Sequence, residues 1–251
     1  MMKGVLTAAL VLGLCTTAHA DDFEAVRGKL KDAMASEVRS EQERGRDRNR
    51  MPVETLEFFG LRDDMRVVEL LPGGGWYTKL LAPVLRAEGE LLVAIGASRV
   101  AEAMGGWEGF DKVRVTAEGA KVSRAEGSRF YDLELEGLGV DDVDIVFTFR
   151  NYHNFSEGGR QAMNEAAFAA LKSGGVYAVV DHTRRHMEAE NAENVRRFDP
   201  VLAIKEIQAA GFQFEDYATL HFRPDDELRY EVGRRSVTGN TDRWTLKFRK
   251  P

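Results

Sequence analysis

A short glycine-rich turn follows the first apolar strand of the sequence, and an acidic residue stands just before it. The acid is Glu69, four residues ahead of the first glycine in Gly73-Gly74-Gly75. Glycines let the backbone turn tightly and approach a ligand closely, and the N–H groups at the start of the next helix can point at that ligand. A carboxylate beside such a turn suits a ligand that carries positive charge. The segment therefore predicts a binding site for a nucleotide-like small molecule.

The residues around this turn exclude one class of nucleotide site and disfavour another. No Gly-Lys-Ser/Thr sequence follows the glycines, as a phosphate-binding NTPase loop requires. A dinucleotide fingerprint on Gly73 and Gly75 needs glycine or alanine at position 78, where the chain has Thr78. The acid that such fingerprints carry about 20 residues further on is also absent. An oxidoreductase built on this turn is therefore the disfavoured hypothesis.

A second group of polar residues follows a later apolar run, residues 144–149. Asn151 and His153 come directly after it. The pKa of an imidazole lies near neutrality, so His153 can take a proton from an acceptor hydroxyl or amine, and Asn151 can orient that acceptor. The alternative is that both side chains only fix the loop by bonding backbone groups. The sequence leaves both interpretations open.

Two histidines and an aspartate follow the next strand. Asp181 and His182 can hold a cation or orient His153, or they form a structural strand end. His182 and His186 have the helical spacing of metal ligands, but the acidic partner of the zinc-protease motif is missing. Because the residues between them are predicted to form a loop, we predict no metal site.

These groups must be positioned by strands that alternate with helices. Strands are predicted at residues 66–71, 90–95, 144–149 and 176–180, and helices at 76–86, 97–104, 157–172 and 199–211. Such alternation indicates βαβ units in a parallel sheet, where ligands bind beyond the carboxyl ends of the strands. The runs at 212–220 and 243–248 predict a final antiparallel pair, and 121–125 a further strand. The residues at 196–199 can line the entrance to the site, although helix capping is sufficient to explain Asp199.

Residues 1–20 have the pattern of a cleaved secretory signal. Lys3 precedes a charge-free stretch, and Ala18 and Ala20 stand at the −3 and −1 positions of a cleavage site. That stretch is shorter than the ~20 residues that cross a bilayer, so we expect an exported, periplasmic or secreted protein without stable membrane insertion; a buried core helix is the alternative. The only cysteine, Cys15, lies in this segment. Cysteine nucleophiles and thiolate metal sites are therefore excluded from the mature chain.

The chain after the signal divides into a helical segment, residues 21–60, and an α/β domain, residues 61–251. Residues 22–50 are predicted to be helical, with Phe23, Val26, Leu30 and Met34 on one face. The mixed charges at 39–50 are typical of a solvated face or a lid. A short helix is predicted from Pro52 to Phe59, before Gly60.

The charge balance excludes one class of partner. The 251 residues carry a formal net charge of −6, whereas proteins that track phosphates carry a basic excess. We therefore expect a small-molecule substrate and no nucleic acid.

Several motifs occur together along the chain. They are Arg48-x-x-x-Pro52-x-Glu54, Glu69-x-x-Pro72-Gly73-Gly74-Gly75-Trp76-Tyr77-Thr78, Thr148-Phe149-Arg150-Asn151-Tyr152-His153-Asn154-Phe155, Leu171-Lys172-x-Gly174-Gly175 and Thr241-Asp242-Arg243-Trp244-x-Leu246-x-Phe248. In this combination the chain resembles the exported, predicted class I methyltransferases of bacteria, from about Arg39 to the C-terminus. The resemblance implies a Rossmann-like α/β fold with a mostly parallel seven-stranded sheet and an antiparallel last strand.

The resemblance also implies a cofactor and a site. The cofactor is S-adenosylmethionine, and its binding residues are expected to be Glu69, Leu70, Pro72, Gly73, Gly74, Gly75, Tyr77, Gly96, Ala97 and Arg150. The acceptor is expected near Asn151 and His153. Catalysis would consist mainly of positioning for in-line methyl transfer, with at most one proton removed by His153.

Two positions depart from the pattern of this superfamily. The second strand ends in Ile95-Gly96-Ala97-Ser98, without the acid that holds the ribose hydroxyls, and Ser128 stands where an acid near the adenine is usual. A hydrogen bond to a charged group contributes ~1.5–3 kcal/mol. These departures favour the alternative function, a non-catalytic protein that binds a small molecule in the same cleft.

Overall fold

The computed structural model describes residues 18–107 and 109–251, and it contains nine strands. In chain order they are β1 (Arg66–Leu70), β2 (Glu90–Ala94), β3 (Arg114–Thr116), β4 (Lys121–Ser123), β5 (Asp132–Glu134), β6 (Val143–Phe149), β7 (Leu171–His182), β8 (Gln213–Ala218) and β9 (Arg243–Arg249). Seven form one sheet in the order β3-β2-β1-β6-β7-β9-β8, while β4 and β5 pair as a separate antiparallel hairpin.

Helices precede the sheet and connect its strands. They are α1 (Ala18–Ala35), α2 (Glu41–Arg44), α3 (Asp47–Arg50), α4 (Pro52–Phe59), α5 (Thr78–Leu85), α6 (Ser98–Met104), α7 (Glu157–Ala170) and α8 (Pro200–Ala209), with a 3-10 turn at Tyr152–Asn154. Within the described ranges, every helix is either too short or too polar to span a bilayer.

The strand directions confirm the predicted fold class. β1 pairs in parallel with β2 and β6, and β6 pairs in parallel with β7. The last strand, β9, runs antiparallel to both β7 and β8 and lies between them. The fold is therefore an α/β sheet, mostly parallel, with an antiparallel last strand and a helical N-terminal segment.

The sheet separates two hydrophobic cores because alternate residues of its strands point to opposite faces. Val67 and Phe147 enter one core, where helices α1, α4, α5 and α6 cover the sheet. Val68 and Val146 enter the other, under α7 and α8. Covering both faces allows the central strands to be mostly apolar, with Glu69 of β1 and Asp181 of β7 as buried exceptions near their carboxyl ends.

The N-terminal segment shares the first core, and it is not one long helix. α1 ends at Ala35, and a capping box starts α2: the Ser40 hydroxyl accepts from the Glu43 N–H, while the Glu43 carboxylate accepts from the Ser40 N–H. The predicted helix over 22–50 is therefore broken, because these local bonds satisfy a new helix start. Phe23 and Leu30 are nevertheless buried as predicted. The predicted signal sequence lies mostly outside the described residues.

Two other boundaries differ from the predictions. The third strand of the main sheet is β3, only three residues long, whereas the predicted strand at 121–125 is β4 of the separate hairpin. The predicted helix 157–172 ends at Ala170, and the chain turns through Gly174, at φ 77°, into the regular part of β7.

The charged run at 39–50 is not simply a solvated face. Arg39 and Arg50 are both buried, with 1% and 5% of their surface exposed. The Arg39 guanidinium donates to the Asp47 carboxylate at 3.0 and 2.5 Å and to the Met34 carbonyl at 3.0 Å. Among the described residues Arg50 has no such carboxylate partner, and it lines the cavity described next.

Candidate functional site

A cavity of about 340 Å³ lies at the carboxyl ends of β1, β6 and β7. This is the edge of a parallel sheet where ligands are expected, and the volume lies within the ~300–1,000 Å³ of small-molecule sites. Nine predicted site residues line it: Glu69, Leu70, Pro72, Gly73, Gly74, Tyr77, Arg150, Asn151 and His153. Gly75, Gly96 and Ala97 were predicted as well, but they lie outside its lining.

Glu69 occupies the penultimate position of β1, where its carboxylate is almost completely buried at the cavity wall. The Thr78 hydroxyl, at the start of α5, donates to Glu69 Oε2 at 2.6 Å. Burial raises the pKa of Glu69 to about 7, although the Thr78 bond and the charge of Arg50 both lower it. A cation that enters the cavity would stabilise the ionised carboxylate.

The glycine turn brings backbone to the cavity, and each glycine has a distinct role. Gly73 has φ 58°, and a Cβ built on it or on Gly74 would meet nothing within 4 Å. Gly75 has φ 79°, and its Cβ would lie 2.7 Å from Val100 Cγ2. Gly75 therefore allows the turn to pack on α6, while Gly73 and Gly74 leave open space for a ligand.

Aromatic rings form one wall of the cavity. The rings of Tyr77 and Phe149 stack with their centroids 3.6 Å apart and an interplanar angle of 12°. The Trp76 ring meets Tyr77 edge-on, and its indole N–H donates to the Glu43 carbonyl at 3.0 Å. Through that bond the N-terminal segment covers the glycine turn.

Two arginines bring positive charge to the cavity. The Arg50 guanidinium carbon lies 4.2 Å from the centre of the Trp76 ring. Arg150 follows β6 in a left-handed conformation, with φ 60°, an uncommon conformation that clusters at functional sites. Burial lowers the pKa of Arg50 most, and the charge of Arg150 lowers it further, as does that of Arg243. The two guanidiniums are therefore close enough to repel each other.

His153 is held by the carboxylate of Asp181, which is fully buried at the end of β7. His153 Nδ1 lies 2.6 Å from Asp181 Oδ1, and the His153 backbone N–H donates to Oδ2 at 2.8 Å. With Nδ1 bound to the carboxylate, Nε2 is the ring nitrogen that remains to accept a proton. Of the roles open to Asp181, the structure shows the one in which it orients His153.

Asn151 joins two strand ends. Its side-chain N–H groups donate to the carbonyls of Leu71 and Phe149, both at 3.1 Å. Both donors of the amide group are therefore occupied by the fold. Only Oδ1 remains for an acceptor molecule, so the structural interpretation of Asn151 accounts for most of its contacts.

The two histidines with metal-ligand spacing do not converge. His182 Nδ1 pairs with the Thr241 hydroxyl at 2.9 Å, whereas His186 Nδ1 pairs with Asp199 at 2.9 Å. Across the described part of the chain, there is no group of three or more His, Cys, Asp or Glu side chains that could hold a metal ion. Burial lowers the pKa of His182 well below its usual value, so this lining residue is neutral.

Two positions at which the resemblance implies acids, the turn after β2 and Ser128, take part only in their own turns. Ile95 follows β2 with φ 60°, and the next residue, Gly96, has φ 65°. The Ser128 hydroxyl bonds the backbone of Phe130 at 3.1 Å, within its own turn. Neither position reaches the cavity.

The run at 196–199 contributes one residue to the lining, as the sequence suggested. Arg196 lines the cavity and pairs with Glu231. Arg197 instead forms a fully buried ion pair with Asp226 at 2.9 Å. Asp199 caps α8 by accepting from the Val201 N–H at 2.9 Å.

Several lining residues were not predicted. They are Glu43, Arg50, Leu71, Trp76, Phe149, Asn154 and Val232. Trp76, Phe149 and Asn154 stand inside the motifs quoted above, so proximity to a predicted residue is a signal for them. Nothing local distinguishes Arg50 from its charged neighbours, because its burial depends on Trp76, which is 26 residues away.

No protein-family model matches the chain, and no curated protein sequence matches it. Solved structures do match. A SAM-dependent methyltransferase from Aquifex aeolicus has a TM-score of 0.57 at 15% identity, covering 90% of this chain and 98% of that one. The [4+2]-cyclase SpnF has a TM-score of 0.54 at 17% identity, covering 81% of each chain.

A third solved structure contains ligands. The 1,6-didemethyltoxoflavin-N1-methyltransferase of Burkholderia thailandensis, with 1,6-didemethyltoxoflavin and S-adenosylhomocysteine bound, has a TM-score of 0.52 at 14% identity. The match covers 95% of this chain and 93% of that one. At these identities the likeness concerns the fold. The chain therefore has the Rossmann-like fold of the class I methyltransferases.

Proposed function

We propose that this protein is an S-adenosylmethionine-dependent methyltransferase that acts on a small-molecule acceptor. The observation that carries the proposal is Glu69, a buried carboxylate at the end of β1 that faces a cavity beside the glycine turn. A cationic ligand stabilises the ionised form of a buried acid whose pKa is raised. The cofactor carries an ammonium group and a sulfonium.

The residues present fit this cofactor on two counts. Gly73 and Gly74 leave open space above the turn, so a ligand can approach the backbone there. Glu69 and the stacked pair of Tyr77 and Phe149 supply an anion and an apolar wall. Glu69 would hold the amino group, and the turn would hold the adjoining part of the cofactor.

The chemistry required of the protein is limited. When bound, S-adenosylmethionine supplies a methyl group whose bond to sulfur breaks as the acceptor atom attacks, leaving the electron pair on sulfur. The cavity walls hold the acceptor in line and exclude water. If the acceptor atom carries a proton, His153 Nε2 takes it, and Asp181 stabilises the imidazolium that forms.

Calorimetric titration of the full chain with S-adenosylmethionine and S-adenosylhomocysteine tests the proposal. We expect dissociation constants at or below ~100 μM, equivalent to about 5.5 kcal/mol. Glu69→Gln, which is similar in shape but neutral, should weaken both ligands ~10- to 100-fold. The exposed Glu118, between β3 and β4 and outside the lining of the cavity, gives the matched control Glu118→Gln. Absence of binding at millimolar ligand would refute the proposal.

A second function, non-catalytic binding of a small molecule, is favoured by the region after β2. The cavity does not extend to Gly96 or Ala97, and no acid stands there to hold a ribose. The fold does not name a reaction by itself, since one of the matching structures is a [4+2]-cyclase. This function would be favoured if S-adenosylmethionine did not bind and another small molecule bound equally well to the natural protein and to Glu69→Gln.

We also propose that the protein is exported to the periplasm or beyond. The proposal rests on Lys3, the charge-free stretch behind it, and the small residues Ala18 and Ala20. Phe23, Val26 and Leu30 of α1, which are buried in the core, all lie after Ala20 and would stay in the chain after cleavage there. N-terminal sequencing of protein recovered from bacterial fractions should begin at Asp21, and Ala20→Phe should block processing. An intact N-terminus in the cytoplasmic fraction would contradict export.

A further inference from the structure

Two arginines of the cavity, Arg50 and Arg150, form no ion pair with a carboxylate of the described residues. Arg50 is only 5% exposed, and its Nη1 atom is buried without a hydrogen-bond partner. The Arg150 side chain also lines the cavity, and neither residue forms an ion pair or a side-chain hydrogen bond within the described part of the chain. The guanidinium of a third arginine, Arg243, donates to the Asn49 carbonyl at 2.9 Å, and its Nε is buried without a partner among the described residues.

Arg50 is held in this position by its backbone and by an aromatic face. The Arg50 carbonyl accepts from the Thr55 hydroxyl and from His221 Nε2, both at 3.0 Å. Its guanidinium lies over the Trp76 ring. A cation–π contact of this kind contributes less than it costs to bury a charge without a counter-ion. The fold therefore keeps this guanidinium at the cavity wall at a cost to its own stability.

Acidic side chains compensate these charges only in part: Asp181 attracts Arg150 and Glu69 attracts Arg50, but within the described residues neither acid forms an ion pair with these arginines. Glu43 also lines the cavity, but its carboxylate pairs with Lys79 at 2.9 and 3.0 Å. Arg196 has its own partner, Glu231. Glu69 is the remaining carboxylate of the lining, and it is bonded to Thr78. The wall thus carries more positive than negative charge.

The cofactor does not compensate them either. S-adenosylmethionine has one carboxylate but two cationic groups, the ammonium and the sulfonium, so its net charge is positive. With the cofactor bound, the cavity would hold a still larger excess of positive charge. A negatively charged acceptor would offset this excess.

On the basis of the proposed function, we propose that the methyl acceptor is a small oxyanion, a carboxylate or phosphate compound whose anionic group binds between Arg50 and Arg150. Planar guanidiniums match both groups through paired N–H bonds. The cavity favours a small acceptor with a flat apolar part, because Tyr77 and Phe149 stand beside the arginines.

Calorimetry on the full chain at fixed ionic strength tests this inference with three probes: benzoate, phenyl phosphate and the neutral benzamide. Each is titrated with and without saturating S-adenosylhomocysteine. We expect both anions to bind in either condition and benzamide to bind at least ~10-fold more weakly. Arg50→Gln and Arg150→Gln should each weaken the anions ~10- to 100-fold, as expected for a lost charge-assisted contact. Arg235→Gln, at an exposed arginine outside the cavity, removes the same charge and should change nothing.

Thermal unfolding separates a ligand-binding role from a structural one. Because no protein acid pairs with the Arg50 guanidinium, Arg50→Gln should keep or raise the melting temperature. The inference would be overturned if Arg50→Gln clearly lowered the melting temperature and Arg150→Gln left the anion affinity unchanged.

The two proposals fail differently. Binding of S-adenosylhomocysteine without any anion binding would overturn the oxyanion acceptor and leave the methyltransferase function standing. Competition between the anions and S-adenosylhomocysteine would show that the arginines hold the cofactor's own carboxylate, and would also overturn it. Anion binding without S-adenosylhomocysteine binding would support the anion site and overturn the methyltransferase function.

Discussion

Asp181 holds His153 at two points, through Nδ1 of the ring at 2.6 Å and through the backbone N–H at 2.8 Å. Two contacts to one carboxylate fix both the ring and the turn that carries it. The tautomer with a proton on Nδ1 is favoured, so Nε2 is the basic nitrogen. The pair joins the ends of β6 and β7, the strands whose carboxyl ends frame the cavity.

Replacing His153 tests its role as a base. His153→Ala should lower turnover ~10²- to 10⁴-fold on an acceptor that loses a proton. The affinity for S-adenosylhomocysteine should stay unchanged, because the cofactor is assigned to the glycine turn. The measurement is turnover on an acceptor from a screen of small oxyanions, and full activity of the variant would remove His153 from the mechanism.

The raised pKa of Glu69 predicts how stability depends on pH. The folded-state pKa is about 7, above the ordinary 4.5, so the folded chain binds a proton that the unfolded chain releases between these values. This contribution is fully present below pH 4.5 and is lost as the pH rises through 7. As the pH rises from 4.5 to 8, the free energy of unfolding of Glu69→Gln should increase by roughly 3 kcal/mol relative to that of the natural protein. Urea unfolding across this range measures it, and parallel profiles would contradict the burial of an ionisable group.

The same group should release a proton when a cationic ligand binds. A positive charge beside Glu69 lowers its pKa, so binding below pH 7 expels the proton from the carboxyl group. Titration of S-adenosylhomocysteine at pH 6 in two buffers with different ionisation enthalpies should show this release in the natural protein. If Glu69→Gln released as many protons, the assignment of Glu69 to the ligand would be wrong.

The glycine turn allows packing and ligand approach to be separated. Gly75→Ala should destabilise the fold by about 1–3 kcal/mol, because its φ is 79° and its Cβ would lie 2.7 Å from Val100 Cγ2. Gly74→Ala meets no atom within 4 Å and has no positive φ, so its stability should change by less than about 0.5 kcal/mol. Its methyl group would enter the cavity and weaken S-adenosylhomocysteine at least ~10-fold. Unchanged affinity in Gly74→Ala would place the ligand elsewhere.

Arg39 is also a buried arginine, but unlike Arg50 it pairs with a carboxylate, that of Asp47. Arg39→Met should destabilise the protein by about 3 kcal/mol, because it leaves Asp47 without its partner. Replacing Asp47 as well, in Arg39→Met/Asp47→Leu, should restore part of that loss. Both are measured by urea unfolding; a loss no larger than that of Arg235→Gln would show that the pair contributes little.

The sequence predicted the elements whose signals are local. β1, the glycine turn and α5 follow from an apolar run and three glycines, and α8 follows from Asp199-Pro200. β3 was missed because three residues are too few for a periodicity. The strand at 121–125 exists, but its sequence does not show that it pairs with β5 instead of the main sheet.

The sequence predicted the site residues that stand in a turn or at a strand end. It missed those whose burial depends on residues far away along the chain. Glu69 and His153 stand at strand ends, which places them at one edge of the sheet. Arg50 is indistinguishable from exposed arginines in its run, because its neighbours Trp76 and His221 come much later in the chain. Gly96 and Ala97 were expected on the resemblance alone, and the cavity stops short of them.

The hydrogen bond from His221 to the Arg50 carbonyl spans 171 residues, and His221 is fixed in turn by Thr245 at 2.7 Å. Contacts of such high sequence separation form late, because the loop between them must close first. In a nascent chain that still lacks β9, the Thr245 contact that fixes His221 is absent, and the Arg50 carbonyl has only its local bond from Thr55. The complete cavity wall therefore forms only when the C-terminal strand is in place. A ligand that binds in the cavity stabilises the native state and not partly folded chains.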